Sequence, residues 1–235
     1  MTIQTLTLTL SHPIRPNEVA RWRGAFLETI GWEEELFHNH ANKGYQGQGA
    51  FSSTQTKSSK LHYRYPLIQY FEQNRKGTIV GIQEGATALA QLIQRQSQLC
   101  IQWNGQDRYL QIESVQEQHH TFQMYSHPKT YHLHRWLALT QKNYLQWKKC
   151  HNLVERIQLL DRLLVNHLIA LFKGLEWDWP ERLEARLQFL HWAKPIRFKG
   201  QTLQAFEITF TANVDLPIGI GIGKGVSQGF GMLVE

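Results

Sequence analysis

The stretch GIGIGKGVSQGFGMLVE, residues 219–235, constrains the folding of this chain more than any other. It sets six glycines within residues 219–231, interleaves them with Ile220, Ile222, Val226 and Phe230, and continues into Met232 and Leu233. A flexible linker lacks such apolar residues, so the segment is expected to fold, with glycines where the backbone takes positive φ or approaches a neighbour closely. Successive N–H groups in a turn of this kind form a concave anion site, to which Lys224 adds a charge. The common nucleotide loops do not fit, because Gly225 rather than Ser or Thr follows Lys224 and no G-x-G-x-x-G opens a helix.

A chain of 235 residues suits two domains, each large enough to bury a core. No apolar run approaches the roughly 20 residues that span a bilayer, so no membrane role is expected. The first residues alternate instead of forming a basic segment, an apolar block and a cleavage site, so the expected location is the cytoplasm. Cys100 and Cys150 are too few for a disulfide framework or a cysteine zinc site and are expected as small buried hydrophobes. Lys plus Arg outnumber Asp plus Glu by 25 to 19, a balance that favours an anionic partner without identifying it.

Leu6, Leu8 and Leu10 alternate with threonines, the period of a strand with one buried face. Val19, Trp22, Ala25 or Phe26, and Ile30 then recur at helical spacing up to Gly31. Residues 31–60 lose all pattern, making a loop longer than compact domains usually carry without a function. Strands are expected at 61–71 and 77–83, a helix at 86–94, and a hairpin about Asn104-Gly105, one of whose arms completes a βαββαβ unit. Pro128 suggests a boundary, giving domains 1–127 and 128–235, with a new strand over 131–139. A helix over 153–173 carries Leu153, Ile157, Leu160, Leu164, Leu168 and Leu171 on one stripe and stops at Gly174. Residues 182–192 and 203–216 read as a long hairpin, although RLEARLQFL fits a helical period almost as well. Trp177 and Trp179 are expected in a core or interface.

The pattern N-V-D-L-P…G-I-G-K-G-V-S-Q-G-F-G-M-L over 213–233 resembles the C-terminal glycine loop of the RAMP superfamily, specifically its CRISPR repeat-processing endoribonucleases. The resemblance extends more weakly along the chain, through YPLIQY at 65–70 and the repeated element order. It implies an α+β fold of two tandem ferredoxin-like domains. It also implies binding of CRISPR repeat RNA and cleavage of the precursor transcript without metal or cofactor. The alternative is a non-catalytic repeat-RNA-binding subunit of an effector complex, and association with other CRISPR subunits or with a second copy of the chain stays open.

Cleavage without metal needs an acid and a base near neutral pH, which imidazole supplies. In the resembled family such a histidine comes from the first domain, at or just after its first helix, often beside a Tyr, Lys or second His. FHNHANKGY matches in position and residue type: His40 is the candidate base and His38 the candidate acid or a phosphate contact, with exchange of base and acid open, and Lys43 or Tyr45 would stabilise the phosphorane. Gly221, Gly223, Lys224, Gly225, Ser227 and Gly229 are the candidate RNA-binding turn. Lys57, Lys60 and Arg64, with Lys194, Arg197 and Lys199, are candidate phosphate contacts. His-x-His with Glu33 and Glu35 nearby offers no convincing third and fourth metal ligand. His119, His120, His132 and His134 fall on or near expected strands, where covering a sheet is the more ordinary role.

Overall fold

The computed structural model describes residues 1–30, 35–38, 65–96, 98–179, 182–198 and 200–234. Strand β1 (Thr2–Pro13) buries Leu6, Leu8 and Leu10 on one face, as the alternation requires. Helix α1 (Val19–Ile30) lays Val19, Trp22 and Phe26 on those leucines, and the short α2 (Glu35–His38) adds Phe37 to the same core. Strands β2 (Ile68–Gln73) and β3 (Lys76–Ile82) meet through Asn74 and Arg75, both at positive φ, the twist a two-residue hairpin requires. Helix α3 (Glu84–Arg95) returns the chain across the same face.

The Asn104-Gly105 hairpin forms as expected, from β4 (Leu99–Trp103) and β5 (Gln106–Leu110). Neither arm completes the first sheet, however. They make a separate two-stranded sheet whose Leu99, Ile101 and Trp103 join the α1 core, and β6 (Ile112–Thr121) pairs along β1 from Thr2↔Thr121 to Leu10↔Ile112. The ten-residue β6 offers β1 a longer ladder than either five-residue arm. The resulting order is β2-β3-β1-β6, the ferredoxin-like arrangement, with the hairpin inserted before its last strand.

Strand β7 (Met124–Trp136) opens the second half, and residues 127 and 128, the expected division, lie within it. Its register shifts between Met124 and Lys129, an irregularity that accommodates Pro128 in a strand. An unanticipated helix, α4 (Gln141–Lys149), follows, capped by the Thr140 hydroxyl accepting from the Asn143 N–H at 3.1 Å. Helix α5 (Leu153–Gly174) starts with Asn152 as cap and Glu155 three residues on. It buries Leu160, Leu164, Leu168 and Leu171 as the stripe predicts, each worth about 1.5–3 kcal/mol. Leu153, at the first turn, is exposed instead.

The 182–192 run resolves as strand: β8 (Ala185–Phe198) pairs with β9 (Gln201–Val214), and β10 (Met232–Val234) closes the order β10-β7-β9-β8. This is the ferredoxin-like order again. Its second crossover helix is missing, and the glycine segment with a single 3-10 turn, Val226–Gln228, runs in its place. β8 is an edge strand with two register shifts, between Leu187 and Phe189 and between Leu190 and Trp192. The halves share one core. Ile3, Phe71 and Val80 from the far face of the first sheet belong to the same buried cluster as the leucines of α5, and Trp177 stacks on Phe122 at 4.7 Å. Cys100 and Cys150 are both half-buried free thiols. Among the described residues no helix is long and apolar enough to cross a membrane.

Candidate functional site

The glycine segment lies between the two halves and is fastened to both. The buried Gln69 side chain of β2 accepts from the Gly221 N–H at 2.7 Å, while its own amide donates to the Pro66 carbonyl. Tyr65 donates its hydroxyl to the Gly221 carbonyl, also at 2.7 Å, and burial raises its pKa. A Cβ on Gly229 would stand 2.8 Å from Val19 at the start of α1, so only glycine admits that contact. On the other side, Ile220 and Ile222 enter the shared core, and Lys224 bridges Leu137 just beyond β7.

This fastening sorts the expected RNA-binding residues. Gly221 and Gly229 are packed away in the interface, whereas Gly223, Lys224, Gly225 and Ser227 keep partial exposure. Beneath that exposed turn, Trp136 donates its indole N–H to Nδ1 of His167 at 3.1 Å. Gly223 has φ +100°, and a Cβ there would fall 2.6 Å from the Trp136 indole nitrogen. Burial, and secondarily the Lys224 ammonium, hold the His167 pKa down to about 4, so near neutrality the imidazole accepts at Nδ1 and carries its proton on Nε2. Lys224 thus stands over a neutral imidazole.

Beside Lys224 opens a groove of about 580 Å³, bordered by Gly225, Thr140 and Tyr144 of the α4 region, and Phe198 and Gln204 of the β8–β9 hairpin. Among the described residues that line it none is a carboxylate, which suits an anion. The hairpin tip therefore meets the glycine turn. Lys194 and Arg197 sit on β8 near that tip, both exposed, with the Lys194 ammonium 5.2 Å from the Trp192 ring. A second cleft, about 600 Å³, separates Thr5, Thr7 and Gln118 of the first sheet from Ile218 and Gly219.

His119 and His120 border that second cleft, with His120 Nε2 3.2 Å from the Asp215 carbonyl and His119 3.7 Å from Glu117. Asp215 binds the Lys129 ammonium at 2.8 Å, which raises the lysine pKa, and burial pushes the neighbouring Tyr131 up to about 12. His132 and His134 lie on β7, respectively 2.8 Å from the Thr209 hydroxyl and 3.8 Å from Glu207. Among the described residues no group of three His, Cys, Asp or Glu side chains could hold a metal ion.

His40, Lys43, Tyr45, Lys57, Lys60, Arg64 and Lys199 lie outside the described residues, and His38 is placed only as the last residue of α2. Phe37 packs on Phe26 and its carbonyl accepts from Arg23 at 3.1 Å, and Tyr65 is the residue that grips Gly221. Sequence reasoning missed His167, which interrupts the leucine stripe of α5, and Gln69, an amide inside an apolar strand. Both departures from pattern were visible in the sequence.

Two family models match the chain, the Cas6b N-terminal domain over residues 1–47 and 53–121 and the Cas6b C-terminal domain over 123–235. A crystal structure of Cas6b superposes with a TM-score of 0.80 at 25% identity, covering all of both chains. A CRISPR RNA processing endoribonuclease Cas6b superposes with a TM-score of 0.71 at 22% identity, over 100% of this chain and 99% of the other. The uncharacterized protein MJ0978 of Methanocaldococcus jannaschii is 32% identical over 101 residues, which are 43% of this chain and 67% of the relative.

Proposed function

Because the chain belongs to the Cas6b family, we propose that it is a metal-independent endoribonuclease that cuts CRISPR precursor RNA within its repeats. The observation that carries this reading is the half-exposed Lys224 turn, held by Tyr65 where the chain leaves the segment bearing His38 and His40. A solved relative with the same fold is itself a CRISPR RNA processing endoribonuclease.

In this reading Gly223, Lys224, Gly225 and Ser227 receive a phosphodiester through backbone N–H groups and the ammonium. Lys194 and Arg197, with Lys57, Lys60, Arg64 and Lys199, follow the flanking phosphates. Gly221 and Gly229, buried against the first half, position the turn instead of touching RNA. His40 removes the 2′-OH proton as O2′ attacks phosphorus, Lys43 or Tyr45 stabilises the phosphorane, and His38 protonates the departing O5′ as the P–O5′ bond breaks. The products are a 2′,3′-cyclic phosphate and a 5′-hydroxyl. Residues 1–127 supply the histidines and 128–235 the turn.

Incubation with a repeat-containing transcript in EDTA tests the reading. Chelator-resistant cutting at one phosphodiester, leaving a cyclic phosphate, is expected, together with its loss in a His38→Ala, His40→Ala double variant that still binds RNA. Unchanged cutting by that variant refutes the site. Wild-type binding without cutting makes the chain a non-catalytic repeat-RNA-binding subunit.

A further inference from the structure

The face of the second sheet turned away from α5 carries side chains that the proposed cleavage chemistry does not use. Ile208 and Phe210 of β9 point into the core, so the intervening Thr209 belongs to the opposite face. Its hydroxyl oxygen lies 2.8 Å from His132 Nδ1 and 2.6 Å from His191 Nε2, joining two imidazoles whose rings are 6.3 Å apart. A hydroxyl has one proton to give, so at least one of the two imidazoles donates to it. The pair is thereby locked in orientation.

Beside His191 stands Phe189, 65% exposed, its ring 6.4 Å from the imidazole and tilted 35°. Regular alternation would not put these side chains together. The register shift between Leu187 and Phe189 makes Gln188 an extra residue, and its amide donates to Thr211 on the same face that Phe189 shares with Thr209. The next shift, between Leu190 and Trp192, makes His191 extra and turns it onto Thr209. Two bulges three residues apart therefore crowd Gln188, Phe189, His191 and Trp192 onto one face, and bulges commonly re-aim side chains at functional positions.

We propose that this bulged part of β8 is a stacking platform for unpaired nucleotides of the RNA, with a base laid on Phe189 beside the fixed His191 ring. The inference rests on the chain being an RNA-binding Cas6b protein and adds a site for single-stranded sequence apart from the Lys224 turn. Charge favours this occupant. The 14 residues of β8 include Arg186, Lys194 and Arg197 and no carboxylate, and Glu207 on the adjacent strand is already 3.8 Å from His134. Gln188, Thr209 and His191 share the face with Phe189, which is the one large exposed hydrophobic among the described residues of β8; an isolated ring among polar groups suits a base with polar edges better than an apolar protein surface. Interleaved aromatic and basic side chains are how sequence-tolerant sites hold single strands.

Fluorescence anisotropy with a short unpaired oligoadenylate and an RNA duplex of equal length tests it. Phe189→Ala is expected to weaken oligoadenylate binding roughly tenfold and leave the duplex within about twofold, because only unpaired bases expose a face to stack. Phe189→Trp is expected to retain affinity and to add an indole emission that oligoadenylate quenches. Unchanged oligoadenylate affinity in Phe189→Ala, or an equal loss on the duplex, overturns the platform. If the wild type still cuts the repeat transcript, such a result removes the platform alone; binding to neither RNA removes the nuclease reading with it.

Discussion

Replacing Gly223 by alanine probes how the binding turn is held, and Gly105 supplies the control. Both glycines have positive φ, +74° at Gly105 and +100° at Gly223. A Cβ at Gly105 meets nothing within 4 Å, so Gly105→Ala reports backbone strain alone, about 1–2 kcal/mol. A Cβ at Gly223 meets the Trp136 indole nitrogen at 2.6 Å and His167 Nδ1 at 3.1 Å. Neither ring has room to retreat, because Trp136 is fully buried against Phe206 and tied to His167. Overpacking adds about 1–3 kcal/mol to the strain, so Gly223→Ala is expected to cost about 2–5 kcal/mol. Urea denaturation of both variants, followed by tryptophan fluorescence, gives the difference. The two costs agreeing within about 0.5 kcal/mol would refute the close approach of the turn to Trp136.

Tyr65→Phe leaves the Gly221 carbonyl without its hydroxyl donor and is expected to cost about 1–3 kcal/mol in the same assay. A pH titration of stability tests His167. Its folded pKa of about 4 lies below the 6.5 of an unfolded histidine, so the unfolded chain binds the proton first, and stability falls as pH drops through that window. The loss reaches up to about 3 kcal/mol, and His167→Gln is expected to flatten this part of the profile relative to wild type. Lys224→Ala is expected to weaken repeat RNA binding and to lower the slope of log affinity against log salt by about 1, measured by anisotropy across a salt series. A slope unchanged by the substitution would remove Lys224 from the phosphate path.

Where one face is buried and the other solvated, the period of the sequence is the period of the structure. Leu6, Leu8 and Leu10 show this for β1, and the leucines of α5 show it for a helix. The pattern misleads where geometry breaks the period. In β8, Leu187 and Leu190 both turn to the core because the bulge between them inserts one extra residue, and a spacing of three imitates a helix. β6 is missed as the closing strand of the first sheet for the opposite reason: it is an edge strand that is mostly exposed, so QEQHH carries no apolar alternation. The glycine turn is legible because positive φ and close approach leave a compositional mark. Its grip by Tyr65 and Gln69 is not, since those contacts cross about 150 residues and depend on how the halves dock.

That grip also bears on how such a protein can diversify. A turn that borrowed nothing from its surroundings could drift freely to suit a new repeat. Here a change at residues 221–229 is also felt at Val19, Gln69 and Trp136, which belong to different elements of both halves. Novelty in what is recognised is therefore cheaper to acquire along the outer margin of β8, where most side chains face water and none is wedged between the two halves. Inheritance should accordingly keep the inner turn constant while the margin varies from lineage to lineage.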